Sequence, residues 1–518
     1  MMPNRFTDAL FQLIQSLEKA EKRHFKLYIK RSSAKEDLKI IQLFDALDKM
    51  PDYDEKLLLK RLPSVTKPQL ANLKTHLYKQ LLASLRLVKN AENIDLQLSE
   101  QLDYARLLYN KGLKLQSLKI LEKAKDTAKA NHKFNFLAQV ISLEKKIETL
   151  HITRSTLEKT ALMAMEASAI SSHIDRVTRL SNLALLLYRW YVKNGHARNE
   201  EDEKGIREFF KSNLPSNPEI INDFYERLYL YQSYSWYAFI RQDFLMYYRY
   251  SRKWIELFEA EPFMVTVETG HYVKGMHNLL NAHFDLRNYN EFETTLRKFE
   301  AFAKTPAANH HDNFRIHTFV YINSARINQH LMLGTFKEGL AHVSEIEQKL
   351  EKYALYIDRH RVLVFNYKIA TLYFGSGDFK TCIDYVQKII NGPVDLRIDL
   401  QCYARLLHLI AHYELGNFEI MEHLIKSVYR FMAKMQNLTV IEEATFKFLR
   451  KSFNLSPRKL KPELENFLQT IRQFENSRFE TRAFAYLDVI SWVESKVLEK
   501  PVSAIIQQKV KQSKRNPG

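Results

Sequence analysis

The chain reads as an all-α protein, a solenoid of antiparallel helix pairs, and three observations predict it. Its 518 residues include only 12 glycines and 13 prolines. Sheet proteins need turn residues every ten or so positions and Rossmann-like folds need glycine-rich loops, so neither suits this composition. One short turn pattern keeps returning between amphipathic segments. The length also exceeds what one hydrophobic core organises, which favours several domains or an open-ended array.

The repeated pattern is Gln242-Asp243-Phe244, Arg287-Asn288-Tyr289, Gly334-Thr335-Phe336, Gly377-Asp378-Phe379 and Gly416-Asn417-Phe418, with the aromatics 45, 47, 43 and 39 residues apart. The first residue lets one helix end, the second is expected to cap the next helix, and the aromatic is expected to fill the angle between them. One helix pair per period of this length is the mark of a helical solenoid. The unit from Phe365 to Val394 carries the pattern most fully. Ile369 and Ala370 give a large-then-small step, Tyr373 an aromatic, Cys382 a small residue, Val386 and Ile389 an apolar stripe, and Pro393 a stop. Ala105, Leu108, Gly112, Ser117, Leu121 and Ala124 fit the same frame.

These residues resemble the tetratricopeptide-repeat family, which implies a right-handed superhelical solenoid with helical caps at both ends. The period exceeds the family's usual length of about 34 residues, and Ile327 and Leu409 stand where a small residue is expected. The repeats are thus read as lengthened and degenerate, covering residues 91–445, with a basic N-terminal helical block at 1–90 and C-terminal helices with a basic tail at 446–518. Between Gly112 and Gln242 the pattern is weak, although Gly195 marks a further turn. Connections are expected at His196–Pro218, at Thr305–Asn313, and around Asn391–Pro393, Ser456-Pro457 and Lys461-Pro462. The end from Lys509 is expected to fray.

Charge is uneven. The chain carries 78 Lys+Arg against 60 Asp+Glu, and the excess lies at the ends: +8 over residues 1–90, +8 over 446–518 and +2 between. In the first block a short helix at Asp54–Leu62 precedes a longer one from Thr66, where Thr66 and Gln69 make a capping-box pattern and Pro68 sits in the first turn. Leu70, Leu73, Leu77, Leu81, Leu85 and Val88 form its stripe. Short helix, turn, long helix is also the outline of a helix-turn-helix, and Lys60, Arg61, Lys67, Lys74, Lys79 and Arg86 would supply phosphate contacts. The plainer alternative is a cap with a solvated basic face. The block, with Leu17-Glu18-Lys19-Ala20-Glu21-Lys22-Arg23, resembles the opening of bacterial tetratricopeptide proteins, a likeness that brings no function with it.

The sequence offers no nucleophile elbow, Walker loop or HExxH, and its two cysteines, Cys382 and Cys402, make no metal pair or disulfide framework. Gly375-Ser376-Gly377 is explained by a repeat turn. His408 with His412, and the His310-His311-Asp312 run with His317, match no known ligand set. No catalytic residue, cofactor or metal is expected. Between Phe224 and Phe258, 14 of 35 residues are aromatic, a composition that suits core packing with surplus tyrosines edging a groove. The first apolar helix lacks an uninterrupted run and a cleavage site, and no stretch is long enough to span a bilayer, so a cytoplasmic protein without membrane insertion is expected.

The family resemblance implies that helix A lines a concave binding face. Carrying its frame across places Lys274, Asn278, Asn281, Asn328 and Lys368 there. Lysine and asparagine resemble the groups with which some tetratricopeptide domains clamp a terminal carboxylate, although Ala325 stands where that pattern has asparagine. The expected function is a scaffold or adaptor holding a peptide segment or helix of a partner protein. The second reading is a nucleic-acid-associated regulator using the basic N-terminal block, with the repeats as its sensor or recruiting module. A third is an assembly unit that self-associates.

Overall fold

The computed structural model describes residues 8–30, 35–89, 93–151, 157–215, 223–309, 311–354, 356–394, 397–435, 438–453, 455–475, 477, 479, 480, 484 and 486–515. Among them every regular element is a helix and there is no strand. The chain separates into two compact units, Met1–Ile174 and Asp175–Gly518, the division falling inside the long helix Leu157–Asn194. No helix among the described residues is long and apolar enough to cross a membrane.

In the first unit, helices Ala9–Ser16, Lys19–Lys30, Lys35–Asp48 and Lys67–Lys89 bury Leu10, Ile14, Phe25, Phe44, Leu77 and Leu81 in one core. The N-terminal helix starts at Asp8, whose carboxylate accepts from the Leu10 and Phe11 amides. The long helix is entered as its sequence implies, with the Thr66 amide donating to Gln69 Oε1 at 3.0 Å. A second core joins Ile94–Asn110, Lys114–Ala130 and Phe134–Leu150 to the start of Leu157–Asn194. Ser117 is fully buried and donates to the Ala105 carbonyl at 2.7 Å, so a small polar residue lets two helices close up.

The second unit is a run of helix pairs. Phe224–Ile240 packs on Phe244–Ala260, Thr269–Asp285 on Tyr289–Ala303, Arg359–Ser376 on Phe379–Ile390, and Ile398–Glu414 on Phe418–Lys434, while Asp312–Leu333 pairs with the shorter Phe336–Leu340. All five turn residues are left-handed: Gln242, Arg287, Gly334, Gly377 and Gly416 have φ of 57°, 56°, 67°, 87° and 72°. Each is followed by an amide that reaches back to close the preceding helix, as Asp243 N to Ala238 O at 3.0 Å and Asn417 N to His412 O at 3.1 Å. Two non-glycines, Gln242 and Arg287, thus hold a conformation that costs L-residues of order 1 kcal/mol.

The side-chain caps are fewer than the sequence implies. Asp243 and Asp378 cap the following helix, whereas Asn288, Thr335 and Asn417 make no side-chain cap. The backbone bond just described already fixes those turns. Of the turn aromatics, Phe336 is buried and its ring sits against Gly375, where a Cβ would collide with it. Phe418 stays 46% exposed and meets Tyr413 only at 6.0 Å between ring centroids.

Several expected connections are helical. The polar stretch after His196 contains helix Glu200–Asn213, with Asn199 as its cap and four carboxylates in the first turn, which complement the helix dipole. Pro218 lies outside the described residues. Thr305–Asn313 contains the short helix Pro306–Asn309 and the start of the next one. Pro457 opens helix Pro457–Arg472 and Pro462 lies inside it. The end does not fray at Lys509: helix Val502–Arg515 packs back onto Asp312–Leu333 and Arg359–Ser376, and Lys509 pairs with Glu494 at 2.7 Å.

Candidate functional site

The first helices of successive pairs in the second unit share one cavity of about 860 Å³. Thr269–Asp285 contributes Lys274, His277, Asn278, Asn281 and Asp285; Asp312–Leu333 contributes Tyr321, Ser324 and Asn328; Arg359–Ser376 contributes Arg361 and Lys368. These positions recur every three or four residues and so fall on one face of each helix. Trp236, Phe239 and Tyr247 from the aromatic stretch complete part of the wall, whereas Trp254 and Phe258 from the same stretch are buried in the core.

The wall is rich in cations, with seven Lys and Arg against three Asp. His277 stacks on Tyr321, ring centroids 4.1 Å apart at 15°, and accepts a hydrogen bond from Asn281 Nδ2 at 3.1 Å. Lys274 Nζ lies 5.6 Å from the Tyr321 ring centre and 5.7 Å from that of Trp236. The Arg361 guanidinium lies 5.9 Å from the Tyr321 ring centre and pairs with Asp358. Lys368 donates to Ser324 Oγ at 2.5 Å and to its carbonyl at 3.3 Å. Among the described residues, neither Lys274 nor Lys368 has a carboxylate within ion-pair distance.

The titratable groups report the resulting field. Burial, with Lys274, Lys368 and Arg361 nearby, holds the His277 imidazole well below its usual range and therefore neutral. Burial should raise the Tyr321 phenol, yet Lys274 and Arg361 pull it below its ordinary value. Burial, aided by repulsion from Arg397, lowers Lys368 to about 7 against the opposing pull of Asp285. Burial raises Asp285 to about 7 although Arg287 and Lys368 act the other way.

A second charged cluster lines the same cavity. Arg397, which itself has a left-handed φ of 51°, donates through Nε to Asp399 Oδ1 at 2.9 Å and through Nη2 to Oδ2 at 2.8 Å and to the Tyr486 hydroxyl at 3.0 Å. Tyr486 in turn donates to Asp399. Tyr486 stacks on Tyr403 at 4.3 Å and 8°, and its carbonyl accepts from Tyr367 at 3.1 Å.

All five groove residues read from the sequence, Lys274, Asn278, Asn281, Asn328 and Lys368, lie on this wall, and Ala325 is buried beside them. The sequence reading missed His277, Asp285, Tyr321, Arg361 and Arg397. Continuing the helical stripe back from Lys368 by four and then three residues reaches Arg361, and continuing forward from Asn281 by four reaches Asp285. Tyr486 joins from a distant segment and no sequence period points to it.

The six basic residues of the N-terminal block are not brought together as a set of free cations. Lys74 bonds Asp8 and, at 2.8 Å, the Tyr53 hydroxyl; burial opposes its charge, but those two partners raise its pKa. Lys67 pairs with Glu55 and Arg86 with Asp103, each at 3.3 Å, and Arg61 reaches the Ala46 carbonyl at 3.4 Å. Lys60 and Lys79 are exposed.

The histidine clusters have local explanations. His412 Nδ1 accepts from Asn417 at 2.9 Å and its Nε2 faces His408 Nε2 at 3.2 Å, so one proton bridges the pair. His311 caps a helix by accepting from the Asn313 amide, Asp312 pairs with Arg315, and His317 lies beside Tyr321; His310 is outside the described residues. Among the described residues no three potential ligands gather to hold a metal. Cys382 is fully buried between helices, and burial pushes its thiol pKa up, away from reactivity.

No protein-family model matches the chain, and no curated protein matches it. Fold and cavity define its class: a helical-repeat-like, all-α protein with a cation-rich cavity in its second unit.

Proposed function

We propose that this chain is a tetratricopeptide-like cytoplasmic adaptor, a right-handed superhelical solenoid whose first-helix face grips a peptide segment of a partner protein. One observation carries the reading: Lys274, Asn278, Asn281, Asn328 and Lys368, drawn from three successive first helices, face one cavity of about 860 Å³. Asparagine amides offer a donor and an acceptor to a peptide backbone, and unmatched ammonium groups favour an acidic or carboxylate-terminated segment. The volume is ample for the anchoring residues of a short segment.

The test is fluorescence anisotropy of a labelled acidic heptapeptide with a free terminal carboxylate, against its amidated twin, titrated with the full chain. The double substitution Lys274→Glu with Lys368→Glu should weaken binding about tenfold or more, since it replaces attraction with repulsion. Unchanged affinity removes this cavity from consideration.

A further inference from the structure

We propose that the Lys274–Arg361–Lys368 cluster around the His277–Tyr321 stack is a site for a phosphate monoester, carried by a phosphorylated side chain of a bound segment or by a free nucleotide-like phosphate. The carrier rests on the adaptor reading above; the anchor does not.

Charge favours a phosphate. Lys274 and Arg361 lie over the Tyr321 ring and Lys368 bonds Ser324 on the same helix; Asp358 pairs with Arg361, and Asp285 on the same wall acts on Lys368 without an ion pair. A carboxylate ligand would bring one negative charge and two oxygens. A phosphate monoester brings about −1.5 to −2 near pH 7 and three acceptor oxygens, which matches the Lys274 ammonium, a Lys368 amine that a bound anion would hold protonated and a shared guanidinium better.

Unused hydrogen-bonding capacity on the wall points the same way. Asn278 and Asn328 are 7% and 6% exposed, lie on the cavity wall, and have no side-chain hydrogen-bond partner among the described residues. Their amides open onto the cavity, where they offer both a donor and an acceptor to a bound ligand. They are a polar pair beside the cations, and they come from different helices. The Arg361 guanidinium has five N–H donors, more than Asp358 and Tyr321 can occupy.

The local field is positive as well. Tyr321 is buried, which alone would disfavour its phenolate, yet Lys274 and Arg361 shift it the other way. His277 remains neutral between the same cations. The positive potential is therefore focused on the cavity rather than cancelled inside the protein. Trp236, with Tyr188 and Tyr191 at ring-centroid distances of 5.2 and 5.5 Å, offers an adjoining aromatic wall for a ring carried next to the phosphate.

The experiment is isothermal titration of the full chain near pH 7 with two matched pairs, acetyl-Glu-phosphotyrosine-Glu-amide with its unphosphorylated twin, and AMP with adenosine. Inorganic phosphate is titrated alongside. The phosphorylated member of at least one pair should bind about tenfold tighter than its twin. Lys274→Gln with Lys368→Gln should abolish that preference, whereas Lys119→Gln with Lys123→Gln, which removes two exposed lysines that do not line the cavity, should leave it intact. Circular-dichroism melts show whether each variant is folded. The inference is overturned if neither phosphorylated member is preferred, or if the two double variants weaken binding equally. Equal binding of both peptides, with AMP no better than adenosine, removes the phosphate and keeps the adaptor. A preference for AMP without peptide binding, or for inorganic phosphate displaced by AMP, keeps the phosphate site and removes the adaptor.

Discussion

The two charged clusters on the cavity wall are built in opposite ways. Arg397 is embraced by Asp399 through both Nε and Nη2, braced by the Tyr486 hydroxyl, and covered by the Tyr403–Tyr486 stack. Burial works against its charge, yet Asp399 and Tyr486 push its pKa well up. Lys274 and Lys368 sit on the same wall without a carboxylate, and burial drives Lys368 down to about 7 instead. A charge that the fold satisfies ties elements together, here the start of Ile398–Glu414 to the segment at Tyr486. A charge that the fold leaves unmatched spends stability and suits a ligand.

The largest expected effect tests the satisfied cluster. Asp399→Ala leaves the Arg397 guanidinium buried without its carboxylate, and breaking a buried pair from one side costs about 3–5 kcal/mol. Both side chains are largely buried, at 18% and 13% exposure, so little of this is screened by solvent. Urea unfolding of the full chain should show the loss; a change below about 1 kcal/mol would erase the distinction between the clusters.

Lys368→Met should act in the opposite direction. The folded pKa of about 7 lies below the ordinary 10.5, so the unfolded chain binds the extra proton between those values and stability rises with pH there. The penalty is full below about pH 7 and gone above about 10.5. The substitution should therefore stabilise by on the order of a few kcal/mol at pH 6 and by almost nothing near pH 10.5. A gain that is the same at both ends would mean that Lys368 is not carrying a desolvated charge.

The contrast between the clusters also marks what sequence could reveal. The turn residues were legible because a left-handed helix end followed by an aromatic is a local device, and all five adopt it. Even so, His132, with φ of 54°, makes the same turn before Phe134 and escaped notice because histidine is not a typical residue there. Lys274, Asn278 and Asn281 were legible because one helix has a fixed period. Arg361 required extending a stripe past Lys368, and the Arg397–Asp399–Tyr486 network joins residues 87 and 89 apart in sequence, beyond any helical period. The acidic run at Glu200–Glu203 looked like a connection because its charge masks a helix start that Asn199 caps.

The smallest effect is the sharpest test of the division. Tyr486→Phe removes a hydroxyl that accepts from Arg397 at 3.0 Å and donates to Asp399, while the ring can keep its stack on Tyr403. Two hydrogen bonds to charged groups are lost, but Arg397 and Asp399 still hold each other, so the expected cost is about 1–2 kcal/mol. That loss should appear in urea unfolding and leave the titrations with phosphopeptide and AMP unchanged within about twofold. If Tyr486→Phe instead weakened those ligands as strongly as Lys274→Gln with Lys368→Gln, the network around Arg397 would belong to the binding surface, and its bonds would be preorganising a ligand site as well as tying the fold.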